Sequence, residues 1–458
     1  MTPEPDTSAA TPSPASAPAR AVTLSLRNPR LWVLVALIVV IAAGAQLIGP
    51  VVIPIGAAAV TLLPMIWGIV AGTVVSGQRL KPVPDDLQRA ASVIMGVAVL
   101  VLSARLAFTI GPNIPLLVQA GPALLLQEVG HLFGTIALAL PLAVLLRMGP
   151  ATIGATFSID RETSFAMVAE RYGASTPQYR GVLSMYVFGT IFGAVIVSLT
   201  ASLAVSMGVF DPLALAMGSG VGSGSMMAAA TGVIVAAHPE MQDQVLAVAA
   251  ASNLITSLLG LYIGVWVSLP LADRFYTLLT RRRNPEIPGA KKPSEEELTA
   301  TREQAAAILQ APTVNVGLVS SFAVIALAGL VVSMIAAKGF QWQMLVVYAL
   351  LSLIAALSIW LAKATKGKVP AIITVITVGA LLTSPISPVA APILEAAKSV
   401  DFLSVITMML TIAGLSLGRD LPLLRSIGWK IIPVGTVAIV ASFLLSTIVA
   451  EFALGLWH

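Results

Sequence analysis

The chain has 458 residues, 57% hydrophobic and only 10% charged, with a mean hydropathy of +0.94; soluble domains carry about 25% charged residues, so the composition is that of a polytopic membrane protein. The formal charge is +5, cysteine is absent, and the three histidines, His131, His238 and His458, stand far apart. Disulfides, thiol chemistry and cysteine metal sites are thereby excluded, the spacing of the histidines argues against a histidine metal site, and the basic residues collect in loops, where membrane topology rather than nucleic acid accounts for them.

Residues 1–26 are rich in Pro, Ala, Ser and Thr and are read as a disordered cytoplasmic tail. Arg20, Arg27 and Arg30 lead directly into a hydrophobic run, the pattern of an uncleaved first span rather than a signal peptide. Runs near the spanning length of about 20 residues fall at 31–49, 52–75, 90–111, 115–147, 181–208, 246–272, 314–337, 341–363, 369–384, 401–418 and 431–452. The run 115–147 is too long for one upright helix and is expected to be broken or tilted. Residues 27–272 and 313–458 make two transmembrane halves. Between them, 273–312 forms a polar cytoplasmic linker with a short helix.

Arg105, in LSARLAF, stands alone; it is expected to snorkel or to pair with a carboxylate. Glu128 and His131, in LLLQEVGHLFG, are three residues apart and share a helix face. Ionisable groups inside a bilayer are costly and mark ion or proton paths, so this pair reads as a proton relay; a mutually neutralising bridge is the structural alternative. In the cytoplasmic stretch 154–181, Asp160, Arg161 and Glu162, with Glu170 and Arg171, interleave with apolar residues. That pattern fits an amphipathic interfacial helix or an intracellular gate of breakable salt bridges.

In MGSGVGSGSMMAAATG, residues 217–232, glycines occupy positions 218, 220, 222 and 224, although glycine costs roughly 1 kcal/mol against alanine inside a helix. Lys and Arg positions put both flanking spans' outer ends on the outside. Residues 212–238 must then enter and leave on that side, as a re-entrant hairpin. Irregular backbone survives at membrane depth only when buried in protein or lining a wet cavity. Gly218, Ser219, Gly220, Gly222, Ser223, Gly224 and Ser225 are therefore candidate substrate or ion contacts, through free backbone groups and hydroxyls. Tight GxxxG packing is the alternative. In the next span, VAAASNLITSLLG (248–260), Asn253 and Thr256 form a polar stripe with Ser252 and Ser257. It suits binding or an interhelical hydrogen bond.

In the second half, Pro385, Pro388 and Pro392 break any helix. LTIAGLSLGRDLPLLRSIGWK, with Gly414, Gly418, Arg419, Asp420 and Pro422, is the candidate discontinuous element of a second repeat. The fold class is thus all-α: about eleven transmembrane helices plus a re-entrant glycine-rich hairpin, in two five-span units of opposite orientation after the first span. Such parity is the arrangement of inverted-repeat transporters.

SIDRETSFAMVAERYG, RGVLSMYVFGTIFGA, FDPLALAMGSGVGSGSMMAAATG and VAAASNLITSLLGLYIGVWVSLPLADRFY together resemble an uncharacterised family of bacterial integral membrane proteins, a domain of unknown function. More distantly, the glycine-rich loop and the Ala-rich span with a central polar residue are similar to sodium/glutamate symporters and lysine exporters. That resemblance implies an inverted-repeat carrier fold, with a candidate site at Gly218–Gly224 and the Asn253 region. The glutamate symporters carry a Gly-Gly-His-Gly core; here the histidine is absent, which argues against glutamate.

The reading is a secondary active transporter of a small polar solute, an organic anion or amino acid, coupled to H⁺ or Na⁺ by alternating access in the bacterial cytoplasmic (inner) membrane, N-terminus inside. It needs no cofactor or metal and no nucleic acid, only the solute, the coupling ion and membrane lipid; a homodimer stays open. A non-transporting scaffold or assembly protein is the alternative. A membrane-embedded enzyme is less favoured, since no nucleophile with a base and no metal site is visible.

Overall fold

The computed structural model describes residues 22–56, 58–157, 168, 171–173, 176–280, 314–366, 368–418, 421 and 428–455. Its elements in the first half are β1 (Val22–Leu24), α1 (Pro29–Ile48), β2 (Val51–Ile55), β3 (Ala58–Leu62), α2 (Pro64–Gly77), α3 (Asp85–Ile110), α4 (Ile114–Gln119), α5 (Gly121–Gly134), α6 (Leu140–Leu145), α7 (Ala151–Thr156) and α8 (Pro177–Met207). There follow α9 (Pro212–Ser219), α10 (Gly224–Ala237), α11 (Gln242–Ile263) and α12 (Leu269–Thr280). After the polar insert come β4 (Val314–Val316), α13 (Leu318–Ala336), α14 (Trp342–Ala364), α15 (Ala371–Thr383), α16 (Ala390–Ala397), α17 (Phe402–Ser416) and α18 (Ile431–Gly455).

The chain is an all-α membrane-type protein. Among the described residues, eight helical segments are long and apolar enough to cross a membrane; a ninth arises if α16 and α17, bent by 65°, count as one. Helices α2, α10 and α15 are apolar but shorter. The α1 helix shows how such a segment is built. Pro29 opens it, Asn28 Oδ1 accepts from the Arg30 amide, and Leu31, Leu34, Val35 and Ile38 bury one stripe. Its other face leaves Trp32, Val33, Val40 and Leu47 exposed, as an apolar helix facing lipid does.

Three expectations change. The run 52–75 is not one span, because β2 and β3 form an antiparallel hairpin before α2 begins at Pro64. Residues 22–24, expected within the disordered tail, form β1 and pair in parallel with β4. Residues 273–280, expected to begin the linker, continue α12 as helix. The expected break in 115–147 is present: α4 precedes α5, and a π-helical segment, Thr135–Ala139, separates α5 from α6.

Pair contacts give each helix a direction. At one end Arg30 Nη1 bonds Asp86 Oδ2 at 3.0 Å, joining the starts of α1 and α3, and Lys430 Nζ donates to the Arg147 carbonyl at 3.1 Å. At the other end Asn113 Nδ2 donates to Asp243 O at 3.5 Å, and the Asp211 amide donates to Glu451 Oε2 at 2.8 Å. Between them α5 runs antiparallel to α18, with Gly130 against Leu445 and Gly134 against Ala441. Helix α2 runs parallel to α17, with Gly68 against Thr407 and Gly72 against Thr411 and Leu415. Small residues let these backbones approach closely, which is how helices pack without water to drive them together.

Candidate functional site

Asp211 caps α9 by accepting from the Leu213 amide at 2.7 Å, and Pro212 occupies the first turn. The helix stops at Ser219. Gly222 has φ 78°, a left-handed conformation in which a side chain costs roughly 1–2 kcal/mol. Ser223 then caps α10, its hydroxyl accepting from the Met226 amide at 3.3 Å. The two arms run in opposite directions. Asp211 lies at Glu451 and Gly218 at Phe443 and Thr447, whereas α10 climbs from Met226 beside Gly193 to Gly232 beside Leu403. Ser219 Oγ and Thr231 Oγ1, 2.7 Å apart, tie the arms together. The glycine stretch is therefore a helical hairpin folded at residues 220–223.

Helix α11 holds the fold of that hairpin. The Asn253 amide donates to the carbonyls of Gly220 (2.8 Å) and Gly222 (3.2 Å), and Ser252 Oγ donates to Met217 O at 2.7 Å. The Gly220 and Gly222 carbonyls have left the helical ladder and, being buried, need a donor. The glycines on either side are not equivalent. A Cβ at Gly220 would overlap Ser252 Oγ and lie 2.7 Å from the Asn253 nitrogen, and one at Gly218 would overlap Thr447 Oγ1. At Gly224 the nearest neighbour is Val99 Cγ1 at 3.5 Å, an ordinary contact. Ser223 and Ser225 hydroxyls stand 2.9 Å apart.

One helical turn beyond Asn253, Thr256 Oγ1 donates to Glu128 Oε1, which also accepts from Gln127 Nε2 at 2.5 Å. Glu128 is 2% exposed, and its Oε2 has no hydrogen-bond partner. His131 is likewise buried, with Nδ1 2.7 Å from Ser442 Oγ and Nε2 unpartnered. Ser446 Oγ donates to the Gln127 carbonyl at 3.0 Å. No ion pair joins Glu128 to His131 among the described residues, so the neutralising bridge is not formed. A polar seam instead runs from His131 and Glu128 on α5, across Ser442 and Ser446 on α18 and Thr256 on α11, to the Asn253 clamp. Ser442, Ser446 and Gln127 were missed by the sequence reading. Two serines four residues apart in an otherwise apolar span were the available signal.

The expected second break falls mostly outside the described residues, and a bend is found ahead of it. Helix α17 runs through Gly414 to Ser416, and Arg419, Asp420 and Pro422 lie outside the described residues. The bend sits at 398–401, where Asp401 Oδ2 accepts from the Ser404 amide at 3.1 Å. Arg105, 5% exposed, does not snorkel and forms no ion pair among the described residues. It donates from Nε and Nη2 to the Val400 carbonyl and from Nη2 to that of Ala397, all at 3.4 Å. Each broken element is thus held by a donor on a neighbouring helix. The gate residues Asp160, Arg161 and Glu162 lie outside the described residues.

Residues 43–278 match the model of one family, described as a protein of unknown function, DUF3100. No curated protein and no solved structure matches the chain.

Proposed function

As that match spans more than half its length, the chain belongs to the DUF3100 family, and from this premise we propose a secondary active transporter. A small polar solute, an organic anion or amino acid, binds where the re-entrant hairpin meets α11, and its passage is coupled to H⁺ or Na⁺. The observation that carries this reading is Glu128: a buried carboxyl with one unpaired oxygen and only neutral donors, one helical turn from the clamp on the hairpin break. A carboxylate in hydrocarbon is expensive without a partner, and evolution tolerates it where an ion or proton must pass. Interrupted helices meeting near mid-depth are the usual solute site of such carriers. The eleven passes and the inverted repeat belong to this reading, with α2, α15 and α17 completing passes that their length alone does not. So do the distant likeness to glutamate symporters and lysine exporters, and an inner-membrane location.

A thermal-shift screen of organic anions and amino acids on purified protein, with and without Na⁺, tests it, because a ligand that binds only the folded state raises its apparent stability. The hit is then carried to uptake in proteoliposomes. Glu128→Gln keeps the Thr256 contact and removes the ionisable oxygen; uptake driven by the ion gradient is expected to fall at least tenfold while solute binding persists. Unchanged gradient-driven uptake in that variant removes Glu128 from the mechanism.

A scaffold reading has one observation in its favour: the packing contacts at Gly218 and Gly220 explain those glycines without a solute. It predicts no hit in the screen and no ion dependence.

A further inference from the structure

Two spans share an unusual defect. In the first, the π-helical segment Thr135–Ala139 is followed by Leu140-Pro141-Leu142-Ala143; in the second, the π-helical segment Gly264–Ser268 is followed by Leu269-Pro270-Leu271-Ala272. The same four residues stand in the same register after each defect. The cause is local. A proline has no amide hydrogen and its ring crowds the carbonyl four residues back. At Pro141 that carbonyl belongs to Ala137, and at Pro270 to Trp266. The ladder widens by one residue ahead of each proline, which gives a one-turn π-bulge, a feature that clusters at functional sites and at sharp bends.

The two spans run the same way. Asn113, just before α4, touches Asp243 at the head of α11; Glu128 meets Thr256 at mid-length; and Ile136 within the first bulge and Leu140 just after it share a cluster with Leu269 and Ala272, which follow the second. That cluster, with Ile153 of α7, Phe157 just after it and Tyr179 and Val182 of α8, is distinct from the large core that fills the rest of the bundle, which α6 touches through Ala143. On its rim Arg171 Nη2 lies 3.8 Å from Asp273 Oδ2, an exposed pair worth little in stability and readily broken.

We propose that α6 and α12 form a paired gate at the basic end of the molecule, hinged at the two proline-induced π-bulges and latched by Arg171–Asp273. Each hinge lies on the basic-end side of a seam residue: Glu128 and His131 precede the first, Asn253 and Thr256 the second. Swinging the two helices apart opens the polar seam from that end while the hairpin and its clamp stay in place. The device goes beyond the transporter reading and is tested without any solute.

The chain has no cysteine, so introduced thiols are the sole sites of spin labelling. Leu145→Cys with Leu278→Cys places labels on exposed positions beyond the bulges; Val129→Cys with Leu258→Cys places them on the same two spans before the bulges. In lipid nanodiscs, across pH and with or without Na⁺, the first pair is expected to show two distance populations and the second pair one. Adding Pro141→Ala and Pro270→Ala restores the helical bonds and collapses the first pair to one population. Asp273→Asn, which breaks the latch, shifts that pair toward the longer distance. One narrow distance at the first pair under every condition overturns the gate. Two populations that persist unchanged in the proline variant overturn the hinges. Because neither readout involves uptake, a rigid first pair in a protein that transports leaves the transporter reading standing, and the converse also holds.

Discussion

Gly220 and Gly224 are interchangeable as letters and opposite in surroundings. Alanine at 220 must push its methyl against Ser252 Cβ and the Asn253 backbone, neither of which can retreat without moving α11. Overpacking of this kind costs about 1–3 kcal/mol. Alanine at 224 meets Val99 at an ordinary distance and sits in the first turn of a helix, where it is the better helix former. Gly220→Ala is therefore expected to lower the thermal midpoint in detergent by several degrees and Gly224→Ala to leave or raise it; equal losses would mean that the close approach to α11 is not what selects glycine. The glycine run itself, Asn253 and the Glu128–His131 spacing were all readable from the chain, since each is a local anomaly in an apolar background. What each residue does was not readable. Asn253 suited either binding or an interhelical hydrogen bond; it holds two backbone carbonyls, and that depends on partners 31–33 residues away.

At the scale of elements, the two broken helices obey one rule. Carbonyls released from the ladder are buried, and a long polar side chain on an adjacent helix supplies donors: Asn253 for the hairpin and Arg105 for the α16–α17 bend. Hydrogen bonds from a charged donor contribute about 1.5–3 kcal/mol each at best, and those of Arg105 are long. Arg105→Gln is expected to destabilise the protein by about 2–3 kcal/mol on that basis. The loss should be local. Amide hydrogen exchange should rise over 397–404 and stay unchanged over 212–237, whereas a rise in both regions would show that Arg105 supports the whole bundle and not one bend. The sequence reading did not mark this bend, for a physical reason. Glycine and proline mark where a helix can stop, and Gly414, Gly418 and Pro422 are such marks. The actual bend is made by Asp401 capping one helix and by a guanidinium nearly 300 residues away in sequence, which no local pattern encodes. Prolines 141 and 270 were equally visible as letters, yet only the shared register of their π-bulges gives them meaning.

For the molecule as a whole, the two ends differ in charge. Following each helix by its contacts, Arg30, Arg79, Arg147, Arg274, Lys363 and Lys430 come to one end; Asp211, Glu240, Asp243, Glu395 and Glu451 come to the other, where Lys338 and Lys398 are the described basic residues. Basic loops stay in the cytoplasm, so the proposed transporter has the first end inward. The decisive position is Glu240, because the segment before it distinguishes a hairpin from a crossing. Both arms of the hairpin start and finish beside residues of the acidic end, namely Glu451 for the first arm and the Asp243 turn for the second. A topology reporter after Glu240 is therefore expected to read periplasmic, together with one at Pro112, while a reporter after Lys292 reads cytoplasmic. Were reporters after Gly208 and after Glu240 to read opposite sides, α9 and α10 would have to cross in series. The 2.7 Å contact of Ser219 with Thr231 could not then exist, since twelve residues of continuous helix extend about 18 Å. The clamp at Asn253 would lose the break it holds, and with it the mid-depth site that makes transport the reading of this fold.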